Sequence, residues 1–465
     1  MRPRRALALL LLAACAAGCS SVRPWINAPL PEASAPVATA AQLAARDPSA
    51  LFAVTLSGGG ARAAAFGYGV LQELRATPCC WNDKGGNMLD AVDVVSGVSG
   101  GSIIATYYAA FGSEGLDNFE HEYLRQNFQG SLLNQLLRPA NLVDLTSPWF
   151  GRSQLLARRL DTLYRGMTFG DIERRPRHPQ LLVTATDMSL GTGFEFTPEQ
   201  FELICSDLSS VPLSFAVTAS SAVPLLLSPL TLKNYAEDCR SRGIVPRALA
   251  PRREDDYRAR MLRTQEGSYL DARTRPYIHL VDGGLSDNLG VRRLLDRALA
   301  GGSLRASFSE VGIPAGSVHH LVLITVNSER DPSTRIDASD KVPGIAEVVD
   351  ALLFGAGARA TTETQEFLAD LARQWQSELS RRSVDGKDVF APGATIHVIQ
   401  VNLRDAQGDQ RRSLLQVPTA FSIADAEVSG LIAAGRSVLR SSPEFQKLLR
   451  SLGAPAPAAA VSDPR

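Results

Sequence analysis

The sequence is short of lysine, of net charge and of long apolar runs, and each shortage narrows what the chain can be. Lys and Arg total 48 and Asp and Glu total 48, a formal net charge of +0. A balanced chain has no global pull toward nucleic acid or anionic surfaces. Only five of the basic residues are Lys, leaving 43 Arg in an Ala-rich chain, which reads as compositional bias rather than a set of phosphate readers. No Gly-Lys-Ser/Thr follows the glycine-rich loop at 58–60, so it is not a P-loop. Neither the Ala6–Gly18 run nor the Leu213–Leu232 stretch, broken by Pro224 and Pro229, is a continuous apolar segment long enough to span a bilayer.

Cysteine is scarce, six in 465 residues. Arg2, Arg4 and Arg5 precede the apolar run, a secretory pattern. Leu12-Ala13-Ala14-Cys15 and Ala16-Ala17-Gly18-Cys19 both resemble a bacterial lipobox. Cys19, with the longer apolar stretch before it and Ser20-Ser21 after it, is the preferred lipidated residue and Cys15 the second choice. Residues 1–19 are therefore expected to be a signal peptide with lipobox, and the chain an exported lipoprotein anchored to the cell envelope without spanning it. The lack of an acidic residue at 20 or 21 resembles outer-membrane sorting. Cys79, Cys80, Cys205 and Cys239 remain for disulfides, which an exported compartment permits. A vicinal bond would be strained, so either Cys79 or Cys80 with Cys205 or Cys239, or Cys205 with Cys239, is expected, with free buried thiols as the equal alternative. Their spacing gives no metal site.

What is present is organised around one turn. Val92–Val95 is a β-branched apolar run that ends in Gly97-Val98-Ser99-Gly100-Gly101, and residues 102–111 can continue as a helix. Strand, serine at a sharp turn, helix is the context of a nucleophile elbow, in which only hydrogen fits as the side chain at Gly97 and Gly101. Earlier, Leu51–Leu56 reads as a buried strand breaking into Ser57-Gly58-Gly59-Gly60-Ala61-Arg62, then a helix with Phe66, Val70, Leu71 and Leu74 on one face. That order predicts a parallel sheet with crossover helices and ligands at the carboxyl ends of its strands. Amides of Gly58, Gly59 and Gly60 at a helix N-terminus would stabilise an oxyanion, with Arg62 as a nearby charge or a strut for the loop. Gly58-x-Gly60-x-x-Ala63 also fits a dinucleotide fingerprint, but the next strand ends in Val95-Ser96-Gly97 where an acidic residue is wanted.

Further strands are expected at 181–187, 277–281, 320–326 and 395–401, with Phe194–Thr197 pairing near the first. Helices are expected within 342–382 and 418–449. Residues 234–275 read as an Arg-rich surface insertion. Organisation follows: an Ala/Pro-rich tether at 20–49, a catalytic domain at 50–330, a C-terminal α/β extension at 331–452 packed on it, and a disordered tail at 453–465. Two bases are available to Ser99. Asp282 closes a strand before Gly283-Gly284, at the edge expected for Ser99, and burial would raise its proton affinity. His397 fits the Ser…Asp…His order of a triad but lies in an alternating strand pattern; His279 is three residues before Asp282 and expected to point elsewhere.

These pieces together resemble the patatin-like phospholipase family, in a bacterial lipoprotein form. The resemblance rests on the Ser57–Arg62 loop, the Gly97–Gly101 elbow, Thr186-Asp187 followed by glycine and Phe196, Ala219-Ser220-Ser221-Ala222-Val223-Pro224, and Asp282-Gly283-Gly284-Leu285-Ser286-Asp287-Asn288. It covers about residues 51–300, and Ala63 replaces a glycine usual after the basic residue. It implies a three-layer α/β/α fold with a mostly parallel sheet and a helical C-terminal portion. It implies hydrolysis of phospholipid or other lipid esters by a Ser99–Asp282 dyad through an acyl-enzyme, with Gly58, Gly59, Gly60 and Arg62 serving the oxyanion, no cofactor and no metal. The implied partners are a lipid ester and a membrane, with no nucleic acid. Two alternatives stay open: a triad esterase for soluble esters, and a non-catalytic lipoprotein that binds lipid or protein. The 343–382 region, with Ala351–Phe354, either lines an acyl pocket or packs the core.

Overall fold

A computed structural model describes residues 23–31, 48–79, 86–246 and 256–453, the last stretch apart from 301, 309–311, 331–336, 339, 345–347, 349–350, 352–355, 382–385 and 387. The leader with Cys15 and Cys19, most of the 20–49 tether, Cys80, Leu352–Phe354 and the tail from 454 lie outside the described residues. The principal strands are β1 (Ala50–Leu56), β2 (Val94–Val98), β3 (Gln180–Asp187), β4 (Thr192–Glu195), β5 (Leu230–Lys233), β6 (Tyr277–Val281), β7 (Val318–Asn327) and β8 (Phe390–Asn402). The principal helices are α1 (Gly60–Ala76), α2 (Gly100–Gly115), α3 (Phe128–Leu136), α4 (Pro139–Asp144), α5 (Arg152–Leu163), α6 (Leu213–Ser220), α7 (Tyr257–Leu270), α8 (Arg292–Ala300), α9 (Ala356–Ser380), α10 (Asp425–Ser441) and α11 (Pro443–Ser451).

The strands form one sheet in the order β8-β7-β1-β2-β3-β6-β5, with β4 also on β3. β8, β7, β1, β2 and β3 run parallel, whereas β4, β5 and β6 are antiparallel to their neighbours. The three layers follow from the two-residue repeat of a strand. Phe52, Val54 and Leu56 of β1, with Val322 and Ile324 of β7, join α1, α2 and α10 in one core. Their alternates Leu51, Leu321 and Leu323 join α8 and α9 in a second core around Leu368, Leu371 and Trp375 on the opposite face. Sheet with helices on both faces is the expected α/β/α arrangement. Among the described residues no helix is long and apolar enough to cross a membrane.

Three sequence expectations change. Part of the tether belongs to the fold. Ala28–Pro29 pairs with Ser206–Asp207, and buried Asn27 donates to Ser206 Oγ and the Lys233 carbonyl. A lone polar side chain with two such partners has no periodicity to announce it. The 234–275 insertion is not confined to the surface: Asn234 and Tyr269 are buried, and Tyr269 donates to buried Asp187, which Arg275 also pairs at 2.6 Å. The helical reading of 418–449 begins too early, because 417–424 is a non-helical segment, with bends at 419–421, that reaches back to the Gly58–Gly60 loop and the start of α1. Of the possible disulfides, Cys205 bonds Cys239, with Cα atoms 5.7 Å apart.

Candidate active site

Ser99 sits between β2 and α2 with φ 49° and ψ −121°, a strained backbone for a residue with a side chain. Packing holds it there. A Cβ on Gly97 would lie 2.5 Å from Ser102 Cα, and one on Gly101 2.3 Å from the Leu56 carbonyl. The Ser99 N–H donates to Ser220 Oγ at 2.8 Å, and Ser220 Oγ donates to the Thr184 carbonyl at 2.6 Å. Ser102 Oγ donates to the Ser99 carbonyl at 2.6 Å.

Ser99 Oγ donates to Asp282 Oδ2 at 2.9 Å. The second carboxylate oxygen accepts the Gly284 N–H at 2.8 Å. The Asp282 N–H donates to the Ala222 carbonyl at 3.0 Å, and its own carbonyl accepts from Thr186 Oγ1 at 2.8 Å. Burial pushes the Asp282 carboxyl up to about 6, against the hydrogen bonds from Gly284 and Ser99 that draw it down.

The route by which Asp282 reaches Ser99 differs from the expected one. β6 is not another parallel strand ending at the common edge. Backbone groups of successive strand residues face opposite sides. Gln180 N–H meets the Asp93 carbonyl, and Met188 N–H meets the His279 carbonyl, whereas the Val183 carbonyl takes the Phe196 N–H of the β4 side. β2 and β6 thus share one side of β3, β2 along 180–184 and β6 only at Thr186 and Asp187. β6 runs down onto the end of β2, and the two strand ends meet at Ser99 and Asp282. Gly283 is pressed so close to the Thr184 carbonyl that a Cβ there would stand 2.0 Å from it.

The glycine-rich loop faces this meeting point: a Cβ on Gly58 would lie 3.4 Å from Ser99 Cβ. Its three amides are not equivalent. The Gly58 N–H donates to the Asn288 carbonyl at 3.1 Å, so Gly58 is removed from the expected oxyanion donors. The Gly59 and Gly60 N–H groups have no intramolecular acceptor among the described residues, nor does the N–H of Gly100, the first residue of α2. Gly60 has φ 61° and packs where a Cβ would meet the Ala420 carbonyl at 2.3 Å, while a Cβ on Gly100 would meet the Gly60 carbonyl at 2.0 Å. Loop and elbow are in backbone contact there. Arg62 is corrected from oxyanion contact to strut. Its Nε donates to the Ser328 carbonyl at 2.8 Å and its Nη1 to the Val417 carbonyl at 2.6 Å. Burial and the charge of Arg330 lower its pKa to about 10.

No histidine approaches the Ser99–Asp282 pair among the described residues. His397 on β8 is level with Val322 and Phe52, hence with Asp93, three strands across and six residues below Ser99. Strand spacing and rise make that roughly 25 Å. It is buried beside Thr395, 3.1 Å from Nε2, and burial lowers its pKa to about 4. His279 bonds Thr231 Oγ1 at 3.0 Å through Nδ1. The triad reading therefore loses its base, and His279 points elsewhere, as expected. Beside the Asp282 turn lies a cavity of about 140 Å³, between Gly284–Leu289 with Arg292 and the start of α9 at Gly357, Ala360, Thr361 and Thr364. Among the described residues no group of three or more His, Cys, Asp or Glu side chains is arranged to hold a metal.

Compared with known proteins, the family model for patatin-like phospholipases matches residues 54–295, just over half of the chain. The chain belongs to the patatin-like phospholipase family. Among solved structures, the patatin-like chain is similar to human GIVD cytosolic phospholipase A2, with TM-score 0.41 and 12% identity over 89% of this chain. It spans 62% of that protein's length. The same human enzyme in complex with methyl gamma-linolenyl fluorophosphonate gives TM-score 0.40 and 14% identity, again over 89% of this chain and 62% of the other. VipD from Legionella pneumophila gives 0.29 and 11%, over 87% and 67%. A comparison with curated proteins gives no match. The patatin-like match stops short of Val417 and Ala420, which secure the loop from the C-terminal portion. Sequence reading missed these two, together with the position of Asn288 against the loop and the part of Ser220. Ser220 lay in a segment already noted, Ala219–Pro224; for Val417 and Ala420 no local signal exists.

Proposed function

We propose that this chain is a lipid acyl hydrolase in which Ser99 is the nucleophile and Asp282 the general base. The observation that carries the reading is the 2.9 Å bond from Ser99 Oγ to Asp282 Oδ2, made by a carboxyl whose proton affinity burial has raised. Asp282 takes the Ser99 proton as Oγ attacks the ester carbonyl carbon. The carbonyl oxygen becomes the oxyanion of a tetrahedral intermediate, with the N–H groups of Gly59 and Gly60 as its donors. The carbon–oxygen bond to the leaving alcohol then breaks, and Asp282 returns the proton to that alcohol. Water attacks the acyl-Ser99 ester, giving its proton to Asp282. Collapse releases the fatty acid and Ser99 recovers its proton.

The substrate class follows from family membership, so phospholipid or another lipid carboxylic ester is part of the proposal. An envelope location, through lipidation of Cys19 or Cys15, belongs to it as well. The test is labelling with a fluorophosphonate, followed by peptide mass analysis and turnover of phospholipid vesicles. The expected adduct is on Ser99, absent in Ser99→Ala and much slowed in Asp282→Asn. Labelling elsewhere, or equal turnover by Asp282→Asn, overturns the dyad.

A further inference from the structure

Three exposed apolar side chains lie on two segments that are hydrogen-bonded to each other. Leu225 and Leu226 are 68% and 67% exposed, and Trp149 is 48% exposed. Leu225 holds φ 70°, a conformation unfavourable for any residue but glycine, and this one carries its side chain outward. The turn is fastened by Arg152 Nη2, which donates to the Leu225 carbonyl at 2.7 Å, and by Ser153, whose N–H and Oγ bond Ser228. Trp149 lies three residues before Arg152, so the tryptophan and the two leucines flank the same fastening.

The turn is also joined to the reaction centre. Ser220, five residues before Leu225, bonds the Ser99 N–H, and the Ala222 carbonyl takes the Asp282 N–H. Along α5, Arg158 reaches Asn141 at 2.7 Å and Arg159 reaches Ser131 at 3.1 Å. Those bonds hold α3 and α4, whose Leu133, Leu137 and Leu142 are exposed. Charge is one-sided. Residues 128–163 contain four arginines and two carboxylates, Asp144, which pairs with Arg158 at 2.9 Å, and Asp161, which accepts from Ser214 Oγ at 2.9 Å. Residues 213–235 contain no carboxylate and one lysine. Exposed leucines and a tryptophan beside arginines that outnumber the carboxylates are the composition of a surface that enters the headgroup layer of an anionic bilayer.

We propose that Trp149, Leu225 and Leu226 form the centre of a bilayer-docking face, with exposed Arg152 beside them and exposed Arg138, just past the end of α3, to meet anionic headgroups. The proposal rests on the lipid hydrolase reading above, since docking on this face brings the Ser99–Asp282 rim to the membrane. The experiment uses the Ser99→Ala protein, so that lipid is not consumed, with vesicles of phosphatidylcholine and phosphatidylglycerol. The parent should sediment with vesicles, more strongly as the anionic fraction rises and as salt falls, and an emission blue shift should be lost in Trp149→Phe. Leu225→Ser with Leu226→Ser should lower the partition coefficient at least tenfold, with an unchanged near-ultraviolet circular dichroism spectrum as the control for folding. Parent-level binding by that variant, or no binding by the parent, overturns the proposal. So does a parent that self-associates through these leucines and ignores vesicles. The hydrolase reading fails separately: a wild type that docks through this face without hydrolysing any ester loses that reading and keeps the docking face.

Discussion

Ser220 Oγ accepts the Ser99 N–H at 2.8 Å and donates to the Thr184 carbonyl at 2.6 Å. Two residues on, the Ala222 carbonyl accepts the Asp282 N–H at 3.0 Å. The end of α6 thus holds the backbones of both Ser99 and Asp282. Ser220→Ala leaves the buried Ser99 N–H without its acceptor, worth about 1–3 kcal/mol. The expected result is a fall in kcat of about tenfold or more with little change in KM. Ser220→Thr, which restores the hydroxyl, should recover part of it. Steady-state kinetics on a soluble ester, together with fluorophosphonate labelling rates, checks this.

Asp282 must be ionised to take a proton, so kcat/KM should rise with pH through about 6 and then level. The same raised affinity has the opposite sign for stability. Folded Asp282 holds its proton to about 6, whereas an unfolded Asp releases it near pH 3.9. Its contribution is complete below the unfolded value and is lost as pH rises through about 6. Asp282→Asn keeps an acceptor for the Gly284 N–H and cannot ionise. It should therefore match the parent at pH 4 and exceed it by on the order of 2–3 kcal/mol at pH 8, while losing activity. Denaturant unfolding at the two pH values measures the difference.

Gly60→Ala would drive a methyl into the Ala420 carbonyl at a backbone with φ 61°. The loop must move, and with it the Gly59 and Gly60 N–H groups proposed as oxyanion donors. A loss of about 100-fold in kcat is expected, the scale of one lost donor, with far-ultraviolet circular dichroism retained. Activity within a fewfold of wild type removes Gly60 from the anion site.

His397→Asn should leave kcat and its pH profile as in wild type, because His397 lies three strands across and six residues below Ser99, roughly 25 Å away. A loss of the acid limb in that variant restores a histidine base.

Cys205 and Cys239 close a loop across 34 residues. Loop-closure entropy assigns such a bond about 4 kcal/mol. Reduction should lower the unfolding midpoint, and Cys205→Ser should behave like the reduced protein, which denaturant melts with and without reductant will show.

The sequence alone determined the local pieces. Short apolar and β-branched runs marked β1, β2, β3 and β7, and alternation marked β8, because both patterns are written in the residues themselves. The Gly97–Gly101 elbow and the Gly58–Gly60 loop were legible because steric crowding at a tight turn admits only hydrogen. Asp282 was legible as a carboxylate at a strand end. Tertiary structure decided direction and partners. A five-residue run such as Tyr277–Val281 reads alike whether its strand is parallel or antiparallel, so the descent of β6 onto β2 was hidden. The choice of Asp282 over His397 depends on strand order, which places one at Ser99 and the other three strands away. The Gly58 amide, the Arg62 guanidinium and the Gly60 backbone were assigned by Asn288, Ser328, Val417 and Ala420. Those partners lie more than 200 residues along the chain. Hydrogen bonds over that separation obey distance in space and leave no period or motif in the sequence.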